Sequence, residues 1–170
     1  LVKELNKLGL KEVGLKWPND LICGVNKLGG ILIETIRESN GKLKVVIGIG
    51  INIDAPKSIV EIKRTGIQPT GLNAITKNPI SMSLLVANFV QSTYWAIRKF
   101  ENTGFRSFHK EWLNFDILKG REIIVESNNN LISGVNDGID DNGNLLVTNE
   151  RGTHHIVDGS IKDFQYKGMK

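Results

Sequence analysis

Lys16 and Lys27 stand on either side of a short apolar stretch, Asn19 and Asp20 lie between them, and Asn52 follows further along the chain. A lysine beside a cleft suits an anion, because its ammonium is a compact point charge. The oxygens of Asn19, Asp20 and Asn52 suit a hydrated Mg²⁺ or the edge of a base. A plainer reading stands beside this one: Asn-Asp after Pro18 is a common way to begin a turn. Four glycines, Gly29, Gly30, Gly48 and Gly50, fall on or beside expected strands. Glycine weakens a strand and often marks close approach of a ligand or a second backbone. Two such pairs on neighbouring strands would clear a slot for a slender ligand. Bulges or crossing strands are the alternative.

The surrounding pattern supplies the elements. Leu1, Leu5 and Leu8 have helical spacing, with Gly9 as a stop. Val13 to Trp17, Leu21 to Val25, Ile31 to Ile36 and Val45 to Ile53 read as strands, with Gly24-Val25-Asn26 and Ser39-Asn40-Gly41 as turns. Such a series predicts an antiparallel meander. Asp54 to Asn73 loses its periodicity around Pro56, Gly66, Pro69 and Gly71 and reads as a loop. Ser81 then caps a helix whose Leu84, Leu85, Phe89, Ala96 and Phe100, widened by Trp95 and Ile97, form a face for the core. A shorter helix holds Phe105, Phe108 and Trp112, also expected in the core. After Leu118-Lys119-Gly120 come five short alternating runs, from Glu122 to Phe164, whose close spacing predicts a small barrel and a domain boundary near residue 118.

Composition narrows the classes. The chain has 170 residues, 40% hydrophobic and 24% charged, enough for a packed core. The net charge of +4 favours anionic partners, yet the lysines are scattered among acids, which reads as a solvated surface. The single cysteine, Cys23, excludes a disulfide framework, fits a reducing compartment and reads as a small buried side chain. His109, His154 and His155 lack metal-ligand spacing, and no nucleophile elbow, phosphate loop or dinucleotide fingerprint occurs. No apolar run approaches the ~18 residues of a membrane span, and no leader is recognisable, so a cytoplasmic location is expected.

Taken together, three blocks are more specific than their parts. Lys16-Trp17-Pro18-Asn19-Asp20, then Lys27-Leu28-Gly29-Gly30-Ile31-Leu32-Ile33-Glu34, then Gly48-Ile49-Gly50-Ile51-Asn52 resemble the second half of the catalytic domain of the biotin protein ligases in order and spacing. "FHKEWLNFDILKGREIIV" resembles that family's passage into its C-terminal domain, and "GIDDNGNLLV" resembles a hairpin of that domain. The likeness runs from Leu15 to about Phe164. It implies an α+β fold: part of a class II synthetase-like mixed or antiparallel sheet with helices in residues 1–117, then a small SH3-like β-barrel in residues 118–170. It also implies a biotin–[acetyl-CoA-carboxylase] ligase, forming a carbon–nitrogen bond. Biotin and ATP, with Mg²⁺, give biotinyl-5′-AMP and pyrophosphate, and the acyl group then passes to a lysine of the biotin carboxyl carrier protein of acetyl-CoA carboxylase. Carried over by position, Lys27 is the catalytic cation. Lys27, Gly29, Gly30, Ile31, Gly48 and Gly50 border biotin. Lys16, Trp17, Asn19, Asp20 and Asn52 line the adenylate, with Asn52 nearest the metal.

The likeness has gaps. The family's Gly-Arg-rich loop, which covers the adenylate, is not found in these residues, so the chain is expected to begin within a domain and to be impaired alone. A non-catalytic remnant or a partner-binding fragment is the alternative. Some members place an arginine in the last barrel strand, where this chain has Phe164 with Lys162 and Lys167 as the closest cations. With only Phe164 and Tyr166 as aromatics in that region, nucleic-acid binding is not expected. Residues 45–53 read either as a sheet edge, which would allow the pairing into a homodimer common in the family, or as a central strand.

Overall fold

The computed structural model describes residues 1–55 and 67–164. Two antiparallel sheets, joined by helices, make up the described chain. In the first, β1 (Val13–Lys16), β2 (Asp20–Cys23), β3 (Asn26–Arg37) and β4 (Leu43–Ile51) lie in chain order, as the expected meander requires. Short turns dictate this order. Gly24, at φ 59°, closes the β2–β3 hairpin, where Cys23 pairs with Asn26. Beneath this sheet Leu5, Leu10, Val13, Leu21 and Leu28 form a core with Leu72, Leu85 and Phe89.

Helix α1 (Val2–Lys7) supplies Val2 and Leu5 to that core. Much of the expected loop, residues 56–66, lies outside the described residues. Its end differs from expectation: residues 68–70 run beside Lys27, and Leu72–Ile75 forms a short helix, α2, that buries Leu72. Helix α3 (Met82–Thr103) is capped by Ser81, whose hydroxyl accepts from the Leu84 N–H, and ends at Gly104, φ 65°. Its apolar face corrects the expectation. Leu85 and Phe89 are buried, but Leu84, Trp95, Ile97 and Phe100 are exposed. Packing with α1 engages the N-terminal half of α3, and its later turns pass beyond the core, so helical periodicity there does not report burial. Helix α4 (Arg106–Phe115) turns Trp112 toward the second sheet, with Phe105 just before it, while the Phe108 ring carries the Lys99 ammonium at 4.6 Å.

The second sheet has the order β8–β7–β6–β5–β9, from β5 (Glu122–Ser127), β6 (Asn130–Ile139), β7 (Leu145–Asn149), β8 (Gly152–Ile156) and β9 (Ser160–Phe164). Asn128 and Asn129, both at positive φ, make the β5–β6 turn. Every strand contributes to one inner face: Ile123 and Val125, Ile139, Leu145 and Val147, Ile156, and Ile161. Closure into a barrel would need β8 to pair with β9. They lie at opposite edges, and no such pairing exists among the described residues. Among the described residues the sheet is therefore open, where a small SH3-like barrel was expected. Tyr166 and Lys167 lie outside the described residues.

The two sheets meet at β1. The Ile117 N–H donates to the Leu15 carbonyl at 3.1 Å, and Leu15 bridges Asp116 in parallel. This contact requires Gly14, since a Cβ there would collide with Ile117 and the Phe115 carbonyl. Burial pushes the Asp116 carboxyl up, against hydrogen bonds from the Leu118 N–H and the wholly buried Asn136 amide.

Candidate functional site

A register shift between β2 and β3 aims the key lysine. Leu21 pairs with Gly29 but Ile22 pairs with Lys27, leaving Leu28 as the extra residue of a bulge. A bulge redirects neighbouring side chains. Here Leu28 enters the core, fully buried, while Lys27 stands beside Gly30 on the other side. The segment after the undescribed residues braces it: the Lys27 N–H donates to the Gln68 carbonyl and the Thr70 N–H to the Lys27 carbonyl, both at 2.8 Å. Sequence reading missed this brace, because nothing in the composition of residues 67–71 signals strand-like pairing.

Asp20 is the centre of the charge arrangement. One carboxylate oxygen accepts from Lys16 Nζ at 2.9 Å and the other from Lys27 Nζ at 2.6 Å. The side chains of Lys16 and Asp20 are 7% and 12% exposed, against 47% for Lys27. Burial pushes the Asp20 carboxyl up, but the two ammonium groups outweigh it and hold it below the usual carboxylate range. A depressed acid stabilises the fold above its unfolded pKa, and that contribution disappears as pH falls through the folded value. Urea denaturation between about pH 7 and about pH 3 therefore gives a shallower acid loss of stability for Asp20→Asn than for the parent chain.

Beside this group lies an open cavity of about 420 Å³. Its floor follows from strand pairing. Gly30 pairs with Gly50 and Leu32 with Gly48, and paired residues share a face of the sheet. Gly30, Gly48 and Gly50 thus present bare backbone to one side, bordered by Ile31, Leu32 and Ile49, with Asn19, Asp20 and Lys27 at one end. A Cβ on Gly48 or Gly50 would meet nothing nearer than 3.7 Å. Gly29 does not belong to this floor. It points to the opposite face, where a Cβ would collide with the Gly50 carbonyl, so its bareness serves strand packing rather than a ligand. Two variants separate the roles. Gly29→Ala destabilises the chain by about 1–3 kcal/mol in denaturant titration, the cost of overpacking. Gly50→Leu keeps the parent midpoint but fills the cavity, read as lost ligand binding.

The other candidates divide. Asn19 ties the β1–β2 turn to β3: its Nδ2 donates to the Ile31 carbonyl at 2.8 Å, and its carbonyl accepts from the Ile31 N–H at 2.9 Å. Asn52 lies behind Lys27, with Nδ2 donating to the Lys27 carbonyl at 3.4 Å, and does not border the cavity. Trp17 turns away altogether. It is 5% exposed within the second core, and its indole N–H donates to the Gly143 carbonyl at 3.1 Å. Lys16 is also outside the cavity and reaches it only through Asp20. No cluster of three or more His, Cys, Asp or Glu suited to a metal occurs among the described residues, and no described helix is long and apolar enough to cross a membrane.

Residues 2–52 match the profile of the Biotin/lipoate A/B protein ligase family. The bifunctional ligase/repressor BirA of Escherichia coli is 30% identical over 150 residues, covering 86% of this chain and 45% of that protein. The biotin–[acetyl-CoA-carboxylase] ligase of Paracoccus denitrificans is 26% identical over 149 residues, covering 85% and 60%. The biotin protein ligase from Aquifex aeolicus in complex with biotin and ATP superposes with a TM-score of 0.78 at 25% identity, covering 96% of this chain and 66% of that one. The fold and the matched segment thus resemble those of the biotin/lipoate ligases. Within that class, the similarity is to biotin protein ligases. It spans about half the length of the curated relatives it matches.

Proposed function

We propose that the chain carries part of the site of a biotin protein ligase, and that the cavity over Gly30, Gly48 and Gly50 takes biotin and its adenylate. The observation carrying this reading is the Lys27 ammonium at the end of a side-chain-free floor. Attack by the biotin carboxylate on the α-phosphorus of ATP brings two anions together and expels pyrophosphate. A fixed cation at that point lowers the barrier by stabilising charge that develops in the transition state. Transfer then forms an amide between the biotin acyl carbon and a carrier-protein lysine, with AMP leaving.

Ile31 would border biotin through its backbone. Asn19 would face the nucleotide directly, and Asn52 would support Lys27 from behind. Both oxygens of Asp20 are engaged by ammonium groups, so the described residues do not build a metal cage. Mg²⁺ fits as an ion carried by the triphosphate, as is common for this cation. Residues 1–117 would form the second half of a class II synthetase-like catalytic domain. Residues 118–170 would form an SH3-like domain, a reading supported by five antiparallel strands around one inner face. The carboxyl carrier protein of acetyl-CoA carboxylase is the acceptor this reading implies, and sheet-edge pairing into a homodimer remains compatible with it.

The test is formation of biotinyl-5′-AMP from biotin, ATP and Mg²⁺ by the 170-residue chain, followed by mass spectrometry. We expect slow but biotin-dependent product, since these residues lack a Gly-Arg-rich run to shield the adenylate. Product no greater than with Lys27→Met would overturn the catalytic reading, and biotin binding without product would favour the non-catalytic alternative.

A further inference from the structure

Lys16, Asp20 and Lys27 form a line of charges with unequal access to solvent. Lys16 is buried against one oxygen of Asp20 and does not border the cavity. Lys27 holds the other oxygen but is half exposed and borders the cavity. If Lys27 were the only partner of Asp20, moving it to a ligand would leave a buried carboxylate unpaired, which is strongly unfavourable. Nothing in Lys16 itself touches the cavity, so its burial calls for an account other than direct contact with an adenylate.

We propose that Lys16 is the permanent counterion of Asp20, which frees Lys27 to exchange its Asp20 oxygen for an anionic oxygen of biotin or its adenylate. This rests on the ligand reading above. Lys16 is then a positioning residue that acts through Asp20. With two ammonium groups and one carboxylate, the group keeps one positive charge in reserve for the ligand. Asp20 also places the Lys27 ammonium at the end of the cavity, 2.6 Å from one of its oxygens.

The experiment combines biotin calorimetry on the 170-residue chain with carboxylate ¹³C titration of Asp20. Three forms are compared: the parent chain, Lys16→Met, and Lys16→Met with Asp20→Asn. Lys16→Met should weaken biotin binding by about tenfold or more, the size of one charge-assisted contact, because Lys27 becomes the sole counterion. Adding Asp20→Asn should restore affinity to within about threefold of the parent, since no carboxylate remains to hold Lys27. A merely structural lysine would show no such rescue. Parent-like binding by Lys16→Met, or a double variant no better than the single one, overturns the proposal. Should Lys16→Met fail to fold, the double variant, which carries no unpaired buried charge, decides alone: parent-like binding supports the proposal and lost binding overturns it. If the parent chain does not bind biotin, the ligand reading fails, and the Asp20 titration still decides the charge arrangement. It should move up in Lys16→Met, and an unchanged titration overturns the counterion role.

Discussion

Replacing Lys27 with methionine should lower biotin-dependent adenylate formation by about 10²- to 10³-fold, the usual loss when one preorganised group facing transition-state charge is removed. Methionine keeps most of the side-chain length and apolar stem, so the fold should hold, as expected for a half-exposed residue whose backbone bonds to Gln68 and Thr70 do not depend on the side chain. The loss should fall on both binding and turnover, because the ammonium meets a carboxylate in the ground state and further charge on phosphorus oxygens in the transition state. Lys27→Arg should recover only part of the activity. The guanidinium is planar and wider, and its fork suits bidentate pairing rather than transfer from Asp20 to one ligand oxygen. Steady-state kinetics with biotin and ATP varied in turn check all three expectations.

Trp17→Ala should cost about 3–5 kcal/mol of stability, the range for emptying a buried large aromatic. Trp17 lies 5% exposed in the core of the second sheet although it belongs to β1's exit from the first. Its loss would open a void and leave the Gly143 carbonyl without its indole donor. That carbonyl sits in a turn organised by Asp140, whose carboxylate accepts from the Asn142 and Asn144 N–H groups and bonds His155 at 2.9 Å. Trp17→Phe keeps most of the packing and gives up the hydrogen bond, so its cost should be nearer 1 kcal/mol. Guanidinium unfolding of both variants measures the difference. Because Trp17 lies three residues from Asp20, Trp17→Ala should also weaken ligand binding, by loosening the turn that carries Asn19 and Asp20. The aromatic of the motif thus couples the second sheet to the site rather than stacking on a nucleotide.

The meander and its turns were legible because glycine and asparagine punctuate β-branched runs at close spacing, a signal local enough for sequence to carry. The cavity was legible only as four bare positions. Which of them face it depends on register and on the bulge at Leu28, and pairing at that level is not encoded within any one strand. Gly29 was therefore grouped with Gly30, although they point to opposite faces. Position in the motif puts Lys16 and Trp17 on the adenylate side, while their side chains turn toward Asp20 and toward Gly143. Long-range partners decide such orientations, and Gly143 lies far along the chain from Trp17. The apolar face of α3 misled in another way: its period was right, but Trp95 and Phe100 extend past the elements that could cover them. Five strands were legible in the last third, whereas closure was not, because strand count does not fix whether the edges meet.

On the ligand reading, the bare floor and the Lys27 ammonium together hold one anionic acyl ligand. Amide chemical-shift mapping of the ¹⁵N-labelled chain during biotin titration addresses it most directly. Saturable shifts are expected at Lys27, Gly30, Ile31, Gly48 and Gly50, and none in Gly50→Leu at equal protein stability. Saturable shifts confined to the second sheet, or a Gly50→Leu chain that responds like the parent, would contradict it.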